Sequence, residues 1–300
     1  MAIPFERDVS FPYDTVVSVA PRIRRLLARN PSAFTFKGTG VTILGQGHVA
    51  VIDPGPGDPH HLDVLRTALR NETVTHIFCT HTHRDHSPAS RALKDWTGAT
   101  IYGFGPHGSG KAEEGIVIEE GGDMDFVPDV AVRDGDVIKC RDFSIECVHT
   151  PGHTSNHVCY ALKEERALFS GDHVMGWSTT VVAPPDGDMA QYFDSLKKLL
   201  ARDDAIYWPT HGGPIRDPKP FVKAYLDHRY EREAQILACL RDGISTVPGM
   251  VTRIYVGLDP SLRGAAGLSV FAHLLQMTKD GRVIANGQPR LNASFELARA

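Results

Sequence analysis

The spacing of apolar residues changes along this chain, and the change divides it. Through the first two thirds they gather in short runs punctuated by turn residues. Residues 14–19, 41–44 and 49–53 predict strands, with Gly38, Gly40, Gly45 and Gly47 between them. Residues 60–70 place Leu62, Leu65 and Leu69 at helical spacing. Residues 75–79 read as a buried strand, and 88–96 as a short helix with Ser87 as its cap and Pro88 at its first position. Further strands are expected near 100–103, 137–140, 143–149, 157–162, 166–169 and 205–209. A helix over 188–200 gathers Met189, Phe193, Leu196 and Leu199 on one face. Strand-rich halves, each with its own helices, predict an α+β protein rather than strict β-α-β alternation.

After residues 214–220 the pattern becomes helical. Residues 221–241 form a long amphipathic stretch, followed by shorter helices over 248–256 and 268–277. Asp280-Gly281 and Asn286-Gly287 then bracket a small hairpin. Three helices and a hairpin outline a winged helix, so the expected domains are 1–217 and 218–300. Charge follows the same division. The chain has a net charge of -4, but residues 218–300 carry 11 Lys/Arg against 7 Asp/Glu, leaving the first part acidic.

At 300 residues, 42% hydrophobic and 23% charged, the composition is that of a globular chain. No apolar run is long enough for a membrane helix, and the first residues lack the pattern of a secretory signal. Five scattered cysteines without a Cys-x-x-Cys pair argue against a disulfide framework and for the reducing cytoplasm. Gly105-Pro106-His107-Gly108-Ser109-Gly110-Lys111 approaches a phosphate loop, yet lacks the Ser/Thr that should follow the lysine. It is read as a loop over a cleft.

The unusual count is fifteen histidines. Four potential metal donors, His81, His83, Asp85 and His86, stand within six residues directly after the strand at 75–79. Two histidines two apart in extended chain point to one side, and the next pair falls in the turn that begins a helix. Nitrogen and carboxylate donors of this kind suit Zn²⁺, with Fe or Mn as alternatives. Three later candidates each follow a strand at a glycine-containing loop: His153 after Pro151-Gly152, Asp172 after Gly171, and His211 before Gly212-Gly213.

In this order the residues resemble the metallo-β-lactamase superfamily, as does Val51-Ile52-Asp53-Pro54-Gly55 upstream. The resemblance implies a four-layer αβ/βα sandwich with metals at one edge. It assigns His81, His83 and His153 to one ion and Asp85, His86 and His211 to a second, with Asp172 bridging. Asp53 and His157 would brace these ligands from behind. The implied activity is that of a dinuclear metal-dependent hydrolase, in which a bridging hydroxide attacks an ester, thioester or phosphodiester and Asp85 relays a proton.

Asp172 stands where true metallo-β-lactamases carry cysteine, and 39 residues from Asp172 to His211 leave no room for a nuclease cap domain. The C-terminal helices are similar to those of the winged-helix branch, that of beta-lactamase-like protein 2 and its bacterial relatives. Ser178-Thr179-Thr180-Val181 and His228-Arg229 carry that match, whereas Gly38-Thr39-Gly40-Val41 and residues 104–128 depart from it. The branch brings an alternative partner, single-stranded RNA cut by the same site, beside a small-molecule substrate. The tail's modest charge favours a homodimer contact or a cleft wall over nucleic-acid reading, with Arg282 and Arg290 as the residues able to touch phosphate. A mononuclear-iron thiol dioxygenase and a non-enzymatic regulator are the remaining alternatives.

Overall fold

The computed structural model describes residues 3–108 and 121–298. The first sheet holds β1 (Val16–Ala20), β2 (Ile23–Leu27), β3 (Gly40–Gln46), β4 (His48–Ile52), β5 (Thr73–Phe78), β6 (Thr100–Gly103) and β7 (Val130–Ala131), side by side in chain order. It is antiparallel as far as β4 and parallel beyond it. The second sheet holds β8 (Val137–Lys139), β9 (Ser144–His149), β10 (Val158–Leu162), β11 (Ala167–Gly171) and β12 (Ile206–Pro209). Its order is β12-β11-β10-β9-β8, antiparallel except between β11 and β12.

Alternation along the strands builds four layers. Val41, Ile43, Val49 and Val51 turn toward α1 (Pro59–Leu69) and α2 (Ala89–Thr97), where Leu65, Leu69 and Leu93 meet them. Leu44, Ala50 and Ile52 turn the other way and pack against Ile145, Cys147, Val158 and Tyr160 of the second sheet. The outer face of that sheet, with Val148, Cys159 and Ala161, is covered by Tyr192, Phe193, Leu196 and Leu199 of α3 (Met189–Leu200). Each fully buried side chain of this kind contributes about 1.5–3 kcal/mol.

The helical tail comprises α4 (Pro218–Arg241), α5 (Val247–Ile254) and α6 (Arg263–Lys279), followed by paired strands β13 (Val283–Ala285) and β14 (Phe295–Leu297). The expected boundary falls where α4 starts. Phe221, Val222 and Tyr225 in its first half belong to the core around α3, while Ile236, Cys239 and Leu240 belong to a separate core with α5, α6 and the small sheet.

Three local expectations need correction. β2 was not anticipated, because Arg24 and Arg25 disguise it. Arg24 pairs with Glu72 at 2.6 Å, and Arg25 is buried with its guanidinium 5.8 Å from the Trp208 ring. Ser87 does not cap α2: the helix starts at Ala89 with no side-chain cap, and Ser87 Oγ donates to Asp123 Oδ2 at 2.8 Å instead. Asn286-Gly287 does not close a tight hairpin, since β13 pairs with β14 across the loop 286–294. Among the described residues no helix is long and apolar enough to cross a membrane, and all five cysteines are free.

Candidate metal centre

The parallel pairings bring strand ends together at one edge of the sandwich. β4 leads into Asp53, β5 runs into Thr80 and His81, and β9, β11 and β12 lead into His153, Asp172 and His211. The two sheets are tied at this edge by Val158 N–H donating to Thr80 O at 2.7 Å. Asp53 anchors the arrangement from a left-handed backbone, φ 47°. Its Oδ1 accepts from Thr80 N–H at 2.7 Å; its Oδ2 accepts from Thr80 Oγ1 and Thr210 Oγ1 at 2.8 Å and from His86 Nδ1 at 3.0 Å. One buried carboxylate thus fixes the loop of His81 and His86 to that of His211.

The outer contacts of each histidine fix its tautomer. Thr80 Oγ1 gives its proton to Asp53, so it must accept from His81 Nδ1, 3.0 Å away. His153 Nδ1 faces Val181 O at 2.7 Å and must donate. The inner Nε2 atoms of His81 and His153 therefore carry lone pairs, and they lie 3.0 and 3.2 Å from His83 Nδ1. One proton on His83 cannot satisfy both. Burial, and then the neighbouring imidazoles, hold His81 well below the usual histidine range; burial and then His153 do the same for His83. Three neutral nitrogens thus converge.

The second group follows the same logic. His86 Nδ1 donates to Asp53 and His211 Nδ1 to Gly38 O at 3.1 Å. Their Nε2 atoms each lie 3.1 Å from Asp85 Oδ2 and 3.4 Å from Asp172 Oδ2. Asp85 Oδ1 and Asp172 Oδ1 are buried without a hydrogen-bond partner. Burial opposes charge on His86, but Asp85, Asp172 and Asp53 outweigh it and raise its pKa; Asp172 and Asp85 likewise push His211 up to about 10 against its burial. That negative field attracts a cation, and a divalent ion satisfies it with the imidazoles neutral. The donor set therefore fits metal ions: His81, His83 and His153; Asp85, His86 and His211; and Asp172 grouped with His81 and His86.

His157 lies beneath Asp172. Its Nε2 accepts from Asp172 N–H at 3.3 Å, leaving Nδ1 to donate to Thr150 Oγ1 at 2.9 Å. Two bracing residues escaped the sequence reading. Thr180 Oγ1 donates to Asp172 O at 2.7 Å. Thr39 Oγ1 donates to Asp85 Oδ2 at 2.9 Å while accepting from Asn30 Nδ2 at 2.9 Å. Thr39 lies in the segment that departs from the winged-helix branch, so its only signal was that departure. Cys79 is buried, and burial and then Asp53 push its thiol well up, so it is core rather than nucleophile.

The site opens into a cleft of about 540 Å³. His83, His153 and Asp172 line it, and so do Tyr255, Leu258 and Leu262 of the tail. His107 also lines it, its Nδ1 2.8 Å from Thr82 Oγ1. The end of the phosphate-loop look-alike, from Ser109 to Lys111, lies outside the described residues. Arg282 is committed within the protein, to Glu233 at 3.0 and 3.2 Å and Asp280 at 2.9 Å, and is not free for phosphate as expected.

The family model of the metallo-beta-lactamase superfamily matches residues 37–211, and that of the beta-lactamase associated winged helix domain matches residues 246–290. The chain is 31% identical to an atrochrysone carboxyl ACP thioesterase from Cryptosporiopsis sp. (strain 8999), over 91% of this chain and 84% of that protein. It is 27% identical to a lactamase-like protein from Aspergillus niger, over 91% of this chain and 86% of the other. In fold it resembles a metallo-beta-lactamase family protein from Thermus thermophilus, with a TM-score of 0.76, 21% identity, and coverage of 93% of this chain and 100% of that one. A beta-lactamase domain protein from Burkholderia ambifaria gives a TM-score of 0.78 at 18% identity, covering 98% and 97%. The chain therefore belongs to the metallo-beta-lactamase superfamily, as a hydrolase whose α+β catalytic sandwich is followed by a beta-lactamase associated winged helix domain.

Proposed function

We propose that this chain hydrolyses a small-molecule acyl thioester with two divalent ions, zinc foremost. One would be held by His81, His83 and His153, the other by Asp85, His86 and His211, with Asp172 able to serve both. The observation that carries this reading is the set of tautomer-locked imidazole nitrogens, those of His86 and His211 facing Asp85 and Asp172, in the site that opens into the cleft. Relatives named as thioesterases support the substrate class.

When bound, such ions lower the pKa of water toward neutrality and offset charge on a carbonyl oxygen. The chain's own residues orient and move the proton. Asp85 Oδ2 is held by Thr39, leaving Oδ1 to take a proton from the attacking water and return it to the departing sulfur. The C–O bond forms, the C–S bond breaks, and a carboxylic acid and a thiol leave. Asp53 and His157 hold the ligands in place.

The test is metal analysis with a hydrolase panel of thioesters, esters, lactones and single-stranded RNA. Two zinc ions per chain and chelator-sensitive thioester cleavage, lost in Asp172→Ala, are expected. One iron per chain would overturn the dinuclear assignment, and cleavage of RNA alone would transfer the site to the endoribonuclease alternative.

A further inference from the structure

The His228-Arg229 pair of α4 has no part in the chemistry above, yet both residues line the cleft. Arg229 is 3% exposed, and among the described residues no carboxylate pairs with it. Its orientation is fixed: Nη2 donates to Thr180 O, and the guanidinium lies 4.9 Å from the Tyr192 ring centroid. Its Nε is buried without a hydrogen-bond partner. His228 Nε2 lies 3.3 Å from Arg232 Nη2, which can only donate, so Nε2 accepts. Burial, then Arg229 and Arg232, hold this histidine at about 3 and hence neutral, which leaves its proton on Nδ1. That Nδ1 is likewise buried and unpartnered.

Two unmatched N–H donors, one cationic, therefore belong to residues of the cleft wall, each atom lying just beneath its surface. Asp186, the other wall carboxylate besides Asp172, is taken by Ser155, through N–H at 3.3 Å and Oγ at 2.6 Å. Buried donors are ordinarily paired, and a preoriented guanidinium is suited to an oxyanion. We propose that Arg229 and His228 form an anion subsite, which takes a carboxylate or phosphate oxygen carried by the substrate. The subsite deepens the thioesterase reading and rests on it for the identity of the substrate. A charge on the acyl half or a phosphate on the thiol half supplies the same chemistry.

Uncleavable thioethers separate these sources. Calorimetry on the full-length, metal-loaded protein compares S-pentyl-N-acetylcysteamine, its 4-carboxybutyl counterpart, and S-pentyl phosphopantetheine. One anionic probe is expected to bind at least about tenfold tighter than the uncharged one. If it is the carboxylate, the charge is on the acyl half; if the phosphate, on the thiol half. Arg229→Met should bring the ratio to near one, Arg229→Lys should retain part of it, and His228→Phe should lower it. The lysine and phenylalanine variants keep the test open if Arg229→Met does not fold. Equal binding of all three probes by the native protein overturns the subsite. So does a preference that survives Arg229→Met, which would mean the anion sits on the metals or on Arg84, the other cation of the cleft lining. Preference without thioester turnover would leave the subsite standing and sink the thioesterase reading; turnover without preference would do the reverse.

Discussion

At the scale of single residues, the site depends on groups that touch no substrate. Asp53 accepts four hydrogen bonds from two loops, and its Oδ2 sets the His86 tautomer. Asp53→Asn keeps the shape but places an N–H₂ against donors. Metal affinity should fall by about 10–100-fold, as for other groups that orient a ligand histidine; competition titration against a chelating dye measures it, and unchanged affinity would remove Asp53 from the role of brace. Gly152 is a second such position. It turns the chain into His153 at φ 134°, where a Cβ would come within 2.4 Å of Tyr192 Cα. Gly152→Ala should cost about 2 kcal/mol or more, because backbone must move on one side or the other. A urea midpoint equal to that of the native chain would contradict this. Asp53 was legible because it sits in a recognisable motif. Thr39 was not, because a threonine in a glycine-flanked loop reveals its acceptor, Asp85, only when the fold brings position 85 to it.

At the scale of elements, periodicity gave most strands and helices, and failed where a tertiary partner changes what a polar residue means. Arg24 and Arg25 make β2 look like a charged loop until Glu72 and the aromatic ring of Trp208 are in place. β14 is separated from β13 by the loop 286–294, which no local dipeptide announces. α4 carries the main electrostatic consequence at this scale. His273 of α6 is fully buried and faces Arg229, Arg232 and His228 from α4 and Arg282 from the wing, with Glu233 Oε1 4.0 Å away. Burial first, and then the neighbouring arginines Arg229, Arg232 and Arg282, holds it well below the usual range. Unfolded, it titrates near 6.5. The unfolded chain therefore binds a proton that the fold refuses, and the stability this supplies is complete above about pH 6.5 and falls as the pH drops toward the lower folded value. The loss approaches about 1.4 kcal/mol per pH unit for each such histidine. Urea midpoints between pH 7.5 and 5.5 should decline less steeply in His273→Phe than in the native chain; parallel curves would show that His273 titrates alike in both states.

At the scale of the whole molecule, the proposed ligands come from four loops on both sheets, so bound metal would join the halves of the sandwich. α4 extends that linkage, since its first half is buried with α3 and its second half with the C-terminal helices. Phe193 of α3 stacks on Tyr230 of α4 at 4.9 Å, and Lys279 of α6 pairs with Asp188 at 3.0 Å, so the tail is fastened to the catalytic core at several points. A molecule connected in this way should unfold in one transition, and metal removal should shift all of it. Metal free at about a thousand times its dissociation constant adds about 4 kcal/mol to the folded state. For a chain of 300 residues, with an unfolding entropy of about 2.1 cal/mol/K per residue, each kcal/mol moves the thermal midpoint by about 1.6 °C. Chelation should therefore lower a single calorimetric transition by roughly 6–7 °C, and added zinc should restore it. Two transitions, of which only the lower responds to chelator, would show that α4 does not couple the domains. An unmoved midpoint would show that the clustered histidines hold no metal that stabilises the fold.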